Sequence, residues 1–209
     1  MEDKNDDNSV YLYKAILIGD SYVGKTSLIV RFCDNKFDEC GTSTVGIDTK
    51  TMFLKRNNKK IELQIWDTAG QERFKSLAKN CTNQMDGIIL VYDISNQQSF
   101  KSIKTWYKNL LETVNFNKVG LILVGNKSDK EIREVDDNEV KKFCEQNKLS
   151  LIESSARTNK NVKEIYTSLI DIMLKLNNKE PSSERKSDKI EKSNHQKETD
   201  LKKKKLNCC

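Results

Sequence analysis

The sequence predicts an α/β fold: a mostly parallel six-stranded sheet with one antiparallel edge strand and helices on both faces. Three observations predict it. Two late apolar runs, GIILVYD at 87–93 and VGLILVG at 119–125, are continuous rather than alternating, which is the pattern of strands covered on both faces. Segments of helical period lie between such runs and can supply that cover. Finally, Asn57-Asn58 separates two strand candidates; an Asn pair tolerates positive φ and suits a tight hairpin, which accounts for the antiparallel member.

Taken in order, residues 11–18 (YLYKAILI) read as a buried strand, followed at once by the glycine-bearing stretch GDSYVGKTS. Leu28, Ile29 and Phe32 then fall at helical spacing, so this stretch bridges a strand and a helix. Strands at 49–55 and 61–67 form the hairpin. The strand at 87–93 leads to a helix around 99–114, the strand at 119–125 and a helix around 136–147. A short strand, Ser150–Glu153, and a last helix, Val162–Leu176, complete the fold, and no internal repeat is visible.

A chain of 209 residues is long enough for one domain with a substantial core and short for two. Its one proline, Pro181, stands where the composition changes. From Asn177 onward the large apolar residues are Ile190, Leu201 and Leu206 alone, too few to offset the entropy of ordering, so disorder is expected. The predicted organisation is a flexible segment at 1–9, a folded domain at 10–176 and a disordered tail at 177–209. The net charge of +6 is uneven: the tail carries ten Lys/Arg against six Asp/Glu, much of the excess in Lys202–Lys205. The folded part is close to neutral, which argues against a nucleic-acid partner. Four of the six cysteines (33, 40, 81 and 144) show neither zinc-ligand nor disulfide-framework spacing, so reduced thiols are expected, with Cys33 and Cys144 as small core residues. No signal peptide and no membrane-spanning run is recognisable.

Three separated motifs carry the chemistry. Gly19-Asp20-Ser21-Tyr22-Val23-Gly24-Lys25-Thr26 fits G-x-x-x-x-G-K-[ST], with Ser27 next in the helix. Its glycines let backbone N–H groups turn around phosphate oxygens, the helix adds its positive end, Lys25 supplies a point charge and Thr26 can hold Mg²⁺. In Trp66-Asp67-Thr68-Ala69-Gly70-Gln71-Glu72, Asp67 ends an apolar strand where a carboxylate can reach Mg²⁺ through water. Gly70 is free to turn its N–H toward a γ-phosphate, and Gln71 can orient an attacking water. The third motif, Asn126-Lys127-Ser128-Asp129, follows a strand. A carboxylate there can accept from N1–H and the exocyclic amine of guanine, a pair that adenine does not offer, and a wrong base leaves buried polar groups unpaired.

Together these residues resemble the Ras superfamily over about residues 10–176, and WDTAGQERF, the STVGID run (43–48) and the terminal Cys208-Cys209 narrow the resemblance to Rab GTPases. The resemblance implies the P-loop small GTPase fold, GTP and GDP as ligands, Mg²⁺ as cofactor, and Lys25 and Gln71 as the catalytic pair. It casts Thr44 as the threonine that coordinates Mg²⁺ and senses the γ-phosphate, and Phe37 as the aromatic packed edge-on against guanine. Ser155-Ala156-Arg157 is similar to the base-contacting S-A-K loop, with Arg157 in place of the usual Lys. Cys208 and Cys209 resemble a double geranylgeranylation site; two lipid chains hold stably where one is marginal, and each lysine near an anionic surface adds about 1 kcal/mol. Implied partners are an exchange factor, an activating protein, a GDP-dissociation inhibitor and a prenyltransferase escort. Implied too is a place on the cytoplasmic face of an intracellular membrane, cycling with the cytosol. The stretch DKEIREVDDNE (129–139) is similar to the Rab subgroup numbered eighteen, which implies endoplasmic reticulum or lipid droplets; the Golgi is the other site considered.

The chain departs from the Rab pattern at the partner surface. Thr49 stands where Rabs carry the Phe of G-V-D-F, and Cys81-Thr82-Asn83 stands for a Tyr-Tyr-Arg stretch, leaving Trp66 alone of the aromatics that effectors read. The leading expectation is a GTP/GDP switch that recruits effectors to a membrane in vesicle traffic. Its hydrolysis would be slow, on the order of 10⁻⁴ per second without an arginine supplied by an activating protein. A tethering module that binds GTP but scarcely turns it over is the alternative motivated by the altered aromatics. A metabolic kinase would need an arginine-rich lid, which is not found, and an adenine donor, which Asn126-Lys127-Ser128-Asp129 contradicts.

Overall fold

In the computed structural model, which describes residues 9–39, 47–68, 82 and 84–176, ten elements alternate along the chain. They are β1 (Val10–Ile18), α1 (Lys25–Asp34), β2 (Ile47–Arg56), β3 (Lys59–Thr68), β4 (Gly87–Asp93), α2 (Gln97–Leu111), β5 (Gly120–Asn126), α3 (Asp137–Asn147), β6 (Ser150–Glu153) and α4 (Val162–Leu176). The strands form one six-stranded sheet in the order β2-β3-β1-β4-β5-β6. Only the β2–β3 pair is antiparallel, so the predicted architecture holds. The hairpin closes through Arg56↔Lys59, with Asn57 and Asn58 at φ 49° and 60°, the left-handed backbone a two-residue turn of this kind requires.

Boundaries moved where capping, not periodicity, decides. Helix α2 starts two residues before the predicted 99 because the Asn96 side chain accepts from the amides of Gln98 and Ser99. It ends at Leu111, short of 114; Val114 is still buried, and its apolar side chain had mimicked one more helical turn. Asp136 caps α3 through the amide of Asn138. The hairpin strands each extend a residue or two beyond their predicted ends.

Two apolar layers sandwich the sheet. On one face α1 and α4 cover alternate residues of β1 and β3 (Tyr13, Ala15, Leu17; Ile61, Leu63, Ile65). On the other, α2 and α3 lay Phe100, Ile103, Trp106, Val140 and Cys144 over Ile16, Ile18, Ile88 and Leu90. Each such aliphatic or aromatic side chain contributes roughly 1.5–3 kcal/mol by leaving water. Phe32 of α1 stacks on Tyr166 of α4 with ring centroids 4.0 Å apart, joining the two helices of the first layer. Cys144 is buried and Cys33 half-buried against the core, as expected, and burial pushes both thiols up. No helix among the described residues is long and apolar enough to cross a membrane.

Because β1, β3, β4, β5 and β6 run parallel, their carboxyl ends share one edge. That edge receives the loop after β1, Asp67 at the end of β3, Asp93 at the end of β4, Asn126 at the end of β5 and the loop after β6. In open α/β sheets this is where ligands bind. Thr44, Gly70, Gln71, Cys208, Cys209 and the whole 177–209 stretch lie outside the described residues.

Candidate functional site

At that edge lies a cavity of about 730 Å³ lined by the first and third motifs together with Phe37 and Ala156-Arg157. Ser21, Tyr22, Gly24, Lys25, Thr26 and Ser27 form one wall, and Asn126, Lys127 and Asp129 another. Gly19, Asp20, Val23, Asp67 and Ser155 stand behind these walls and shape them.

The loop after β1 takes its form from two glycines. A Cβ on Gly19 would fall 2.1 Å from the Val91 carbonyl oxygen, so only glycine lets the loop pass β4. Gly24, at φ 94°, caps α1, and a Cβ there would meet Asn126 Nδ2 at 2.4 Å. Tyr22 holds a left-handed φ of 64° with its side chain out at the rim and 73% exposed, which fits a variable position of the motif. The first turn of α1 carries no acidic side chain and no side-chain cap, leaving its amides and positive dipole end to the cavity.

Lys25 is buried, its Nζ donating to the carbonyls of Gly19 (2.9 Å) and Asp20 (2.8 Å). Burial brings the ammonium down to about 8, against the opposing pull of Asp67 and Asp20. A polyphosphate here would supply the countercharge that burial denies it. Thr26 Oγ1 donates to Asp67 Oδ2 at 2.6 Å, joining the first and second motifs. A hydroxyl and a carboxylate converging beside the cavity are the hard oxygen donors that suit Mg²⁺. Among the described residues no cluster of three or more His, Cys, Asp or Glu side chains could hold a metal alone. Thr26 and Asp67 would leave most of an Mg²⁺ shell to phosphate and water, which is how this ion is commonly held.

Asn126 is the knot of the site. Buried at 1% exposure, it donates from Nδ2 to the Val23 carbonyl (2.9 Å), while Oδ1 accepts from the Ala156 amide (3.3 Å) and Ser154 Oγ (3.5 Å). Besides lining the cavity, Asn126 ties the loop after β1 to the loop after β6 through these bonds, a linking role its place in the motif did not reveal. Lys127 reaches the Tyr22 carbonyl (2.6 Å) and Asp93 (2.7 Å), and so braces the first motif from the third. Asp129 accepts from Ser155 Oγ at 2.6 Å, which fixes one carboxylate oxygen and turns the group toward the cavity it lines.

Three residues that the motifs do not name hold these loops. Arg31 of α1 donates to the Ala156 carbonyl (2.8 Å) and the Arg157 carbonyl (3.1 Å) and sits over the Phe37 ring at 5.8 Å. Trp106 Nε1 donates to Asp20 Oδ1 at 3.1 Å. Asp93 pairs with Lys127 and Lys130 and accepts from Ser95. Burial works to raise the Asp93 carboxyl, but hydrogen bonds from Lys127 and Ser95 prevail and hold it below the usual range. These partners come from distant parts of the chain, and no local spacing announces them.

Of the residues that depart from the Rab pattern, Thr49 is exposed on β2 opposite Trp66 of β3 and Thr82 is buried, while Cys81 and Asn83 lie outside the described residues.

Comparison with known proteins agrees with this geometry. The Ras family model matches residues 14–175. The chain is 42% identical to Ras-related protein Rab-13 of Bos taurus over 186 residues, covering 85% of this chain and 91% of that protein. It is 38% identical to Ras-related protein Rab-3 of Caenorhabditis elegans over 191 residues, covering 89% and 87%. It is 43% identical to Ras-related protein SEC4 of Saccharomyces cerevisiae over 162 residues, covering 78% and 75%.

Proposed function

The chain belongs to the Ras family of small GTPases and to its Rab branch, GTP hydrolases of membrane trafficking, and on that premise we propose that it is a GTP/GDP switch recruiting effectors to a membrane. The observation that carries this reading is the meeting of Lys25, Thr26 and Asp129 on one cavity, with Asp67 bonded to Thr26 behind it. A phosphate-holding ammonium and a guanine-reading carboxylate in one site select a guanine nucleotide over an adenine one.

In this mechanism the amides at the start of α1 and Lys25 hold the phosphates, and Thr26, Thr44 and, through water, Asp67 would hold Mg²⁺. Mg²⁺ held there would supply positive charge that offsets the charge of the phosphates. Gln71 orients water for attack on the γ-phosphorus; the leaving oxygen departs on GDP and phosphate is released. Thr44 and Gly70 contact the γ-phosphate in the GTP state, so its loss frees both segments and changes what partners read. With no arginine supplied in cis, hydrolysis is slow and an activating protein raises it by roughly 10³–10⁵-fold. An exchange factor reloads the site, and a GDP-dissociation inhibitor and a prenyltransferase escort handle the tail. Cys208 and Cys209 carry two prenyl chains, Lys202–Lys205 add attraction to an anionic surface, and the protein works on the cytoplasmic face of an intracellular membrane.

Single-turnover GTP hydrolysis with Mg²⁺ tests the switch. Slow hydrolysis by the wild type, lost in Gln71→Leu, with guanine preference lost in Asp129→Asn, supports it. Tight GTP binding with identical turnover in wild type and Gln71→Leu overturns the Gln71 role and leaves a GTP-binding tethering module. Equal affinity for GTP and ATP overturns the site.

A further inference from the structure

Arg157 lines the cavity, yet its guanidinium is directed to another wall residue. Its Nη2 lies 2.8 Å from Oε1 of Glu39, which lines the same cavity from the segment after α1. Both side chains stand at the mouth, 61% and 67% exposed. Their backbones do not float. The Arg157 and Ala156 carbonyls are gripped by Arg31, and the same guanidinium lies over Phe37, two residues before Glu39. Asn159 Nδ2 reaches Asn35 Oδ1 at 3.5 Å, a second and weaker link between the same two segments. Arg31 thus anchors both sides of the mouth from below, and the Arg157–Glu39 pair joins them from above.

We propose that Glu39 and Arg157 form an electrostatic clasp across the mouth of the nucleotide cavity that slows release of the bound nucleotide. This rests on the cavity holding a guanine nucleotide. A ligand leaving past Phe37 and the Ala156-Arg157 loop has to part the two segments, and the ion pair opposes that parting. The side chain of Arg157 then acts as a positioning group on the exit path rather than as a contact to the base. It also gives the arginine at this position a use: a planar guanidinium pairs with a carboxylate in a defined geometry that an ammonium lacks.

The pair is exposed, so its effect is modest. Exposed ion pairs correspond to about a 1.4- to fivefold change in an equilibrium or rate. Salt screens it, since the Debye length falls from about 10 Å at 0.1 M to 3 Å at 1 M.

The test is the release rate of a fluorescent GDP analogue from the full-length protein, with Glu39→Lys, Arg157→Glu and the double exchange Glu39→Lys/Arg157→Glu. Each single variant is expected to release about two- to fivefold faster, and the double exchange to return toward the wild-type rate. Raising salt to 1 M is expected to speed the wild type, whose attraction it screens, and to slow Glu39→Lys, whose repulsion against Arg157 it screens. The double-mutant cycle isolates the pair from the effect of each charge on an anionic ligand. Rates that combine multiplicatively, with no recovery in the double exchange, overturn the clasp. Asp129→Asn, assayed alongside, separates the two readings. If the wild type fails to retain GDP, or Asp129→Asn retains it equally well, the nucleotide site itself is refuted. If GDP is retained and the cycle is flat, only the clasp falls.

Discussion

Truncating Asn126 to alanine probes how far the cavity depends on the bonds this residue makes between its loops. The substitution strips the Val23 carbonyl of its 2.9 Å donor and the Ala156 amide of its 3.3 Å acceptor. Both residues are buried, at 2% and 3% exposure, so water does not readily replace the lost partner. A buried polar group left unsatisfied costs about 1–3 kcal/mol, and two such groups cost about 2–6 kcal/mol. The longer Ser154 contact adds little. Much of that cost falls on the loops that form the cavity, so GDP affinity is expected to drop by about 30-fold to several thousand-fold. Inosine diphosphate differs from GDP only in lacking the exocyclic amine, so comparing the two isolates the amine contact proposed for Asp129 from every other contact. If Asn126 works only through the loops, Asn126→Ala weakens GDP and inosine diphosphate by the same factor, whereas Asp129→Asn erases the preference between them. Asn126→Asp sets a buried carboxylate oxygen against the Val23 carbonyl and is expected to weaken binding at least as much as alanine. Displacement titrations with a fluorescent GDP, with circular dichroism to confirm folding, measure all of this. A loss below fivefold in Asn126→Ala, or a loss confined to GDP, refutes the reasoning.

Three further outcomes follow from single contacts. Tyr166 is fully buried, and its hydroxyl has no hydrogen-bond partner among the described residues. Tyr166→Phe keeps the stack on Phe32 and is expected to raise stability by about 1–2 kcal/mol in urea unfolding at fixed GDP; destabilisation would show that the hydroxyl is bonded. Gly24→Ala combines a strained φ with a Cβ 2.4 Å from Asn126 Nδ2, and is expected to cost about 1–3 kcal/mol of GDP binding; affinity within threefold of wild type contradicts the close approach. The Asp93 carboxyl lies below its ordinary range in the folded state, because hydrogen bonds from Lys127 and Ser95 outweigh burial. Its contribution is therefore complete above the unfolded value of about 4 and lost as pH falls through the lower folded value. The stability gap between wild type and Asp93→Asn should be flat from neutral pH to about 5 and shrink below about 4; a gap undiminished in strong acid refutes the pairing.

What the sequence made legible divides along a physical line. Strands β4 and β5 could be read because burial on both faces demands unbroken apolar runs, and the Asn57-Asn58 turn because few residue pairs tolerate that backbone. That Lys25, Thr26 and Asp129 belong to one site could be read because their motifs fix residue types at set places after strand ends, and the structure brings all three to one cavity. The end of α2 could not, since a buried Val114 continues the apolar period after the helix has stopped. Nor could the work of Asn126 or Arg31. An asparagine in a motif looks the same whether it meets a base or a carbonyl 103 residues away. Arg31 reaches across 125 residues to Ala156, a contact that exists only once the sheet has assembled.

Those long-range bonds have a consequence for how the site behaves as a unit. The loop after β1 is held by Lys127 and Asn126 from the third motif and by Trp106 from α2. The Ala156-Arg157 loop is held by Asn126 and Arg31. Asp129 depends for its orientation on Ser155 of that same loop. No wall of the cavity is fixed by its own strand alone, so loosening one loosens the others. A ligand that touches Lys25, Thr26 and Asp129 together therefore stabilises contacts it never makes. Nucleotide binding and folding must then be linked: a nucleotide at a thousand times its dissociation constant adds about 4 kcal/mol to the native state. Substitutions in the supporting residues should accordingly show their largest stability losses when nucleotide is scarce. Any comparison of variants has to hold free nucleotide fixed, because a variant that binds GDP poorly forfeits this stabilisation in addition to its lost hydrogen bonds.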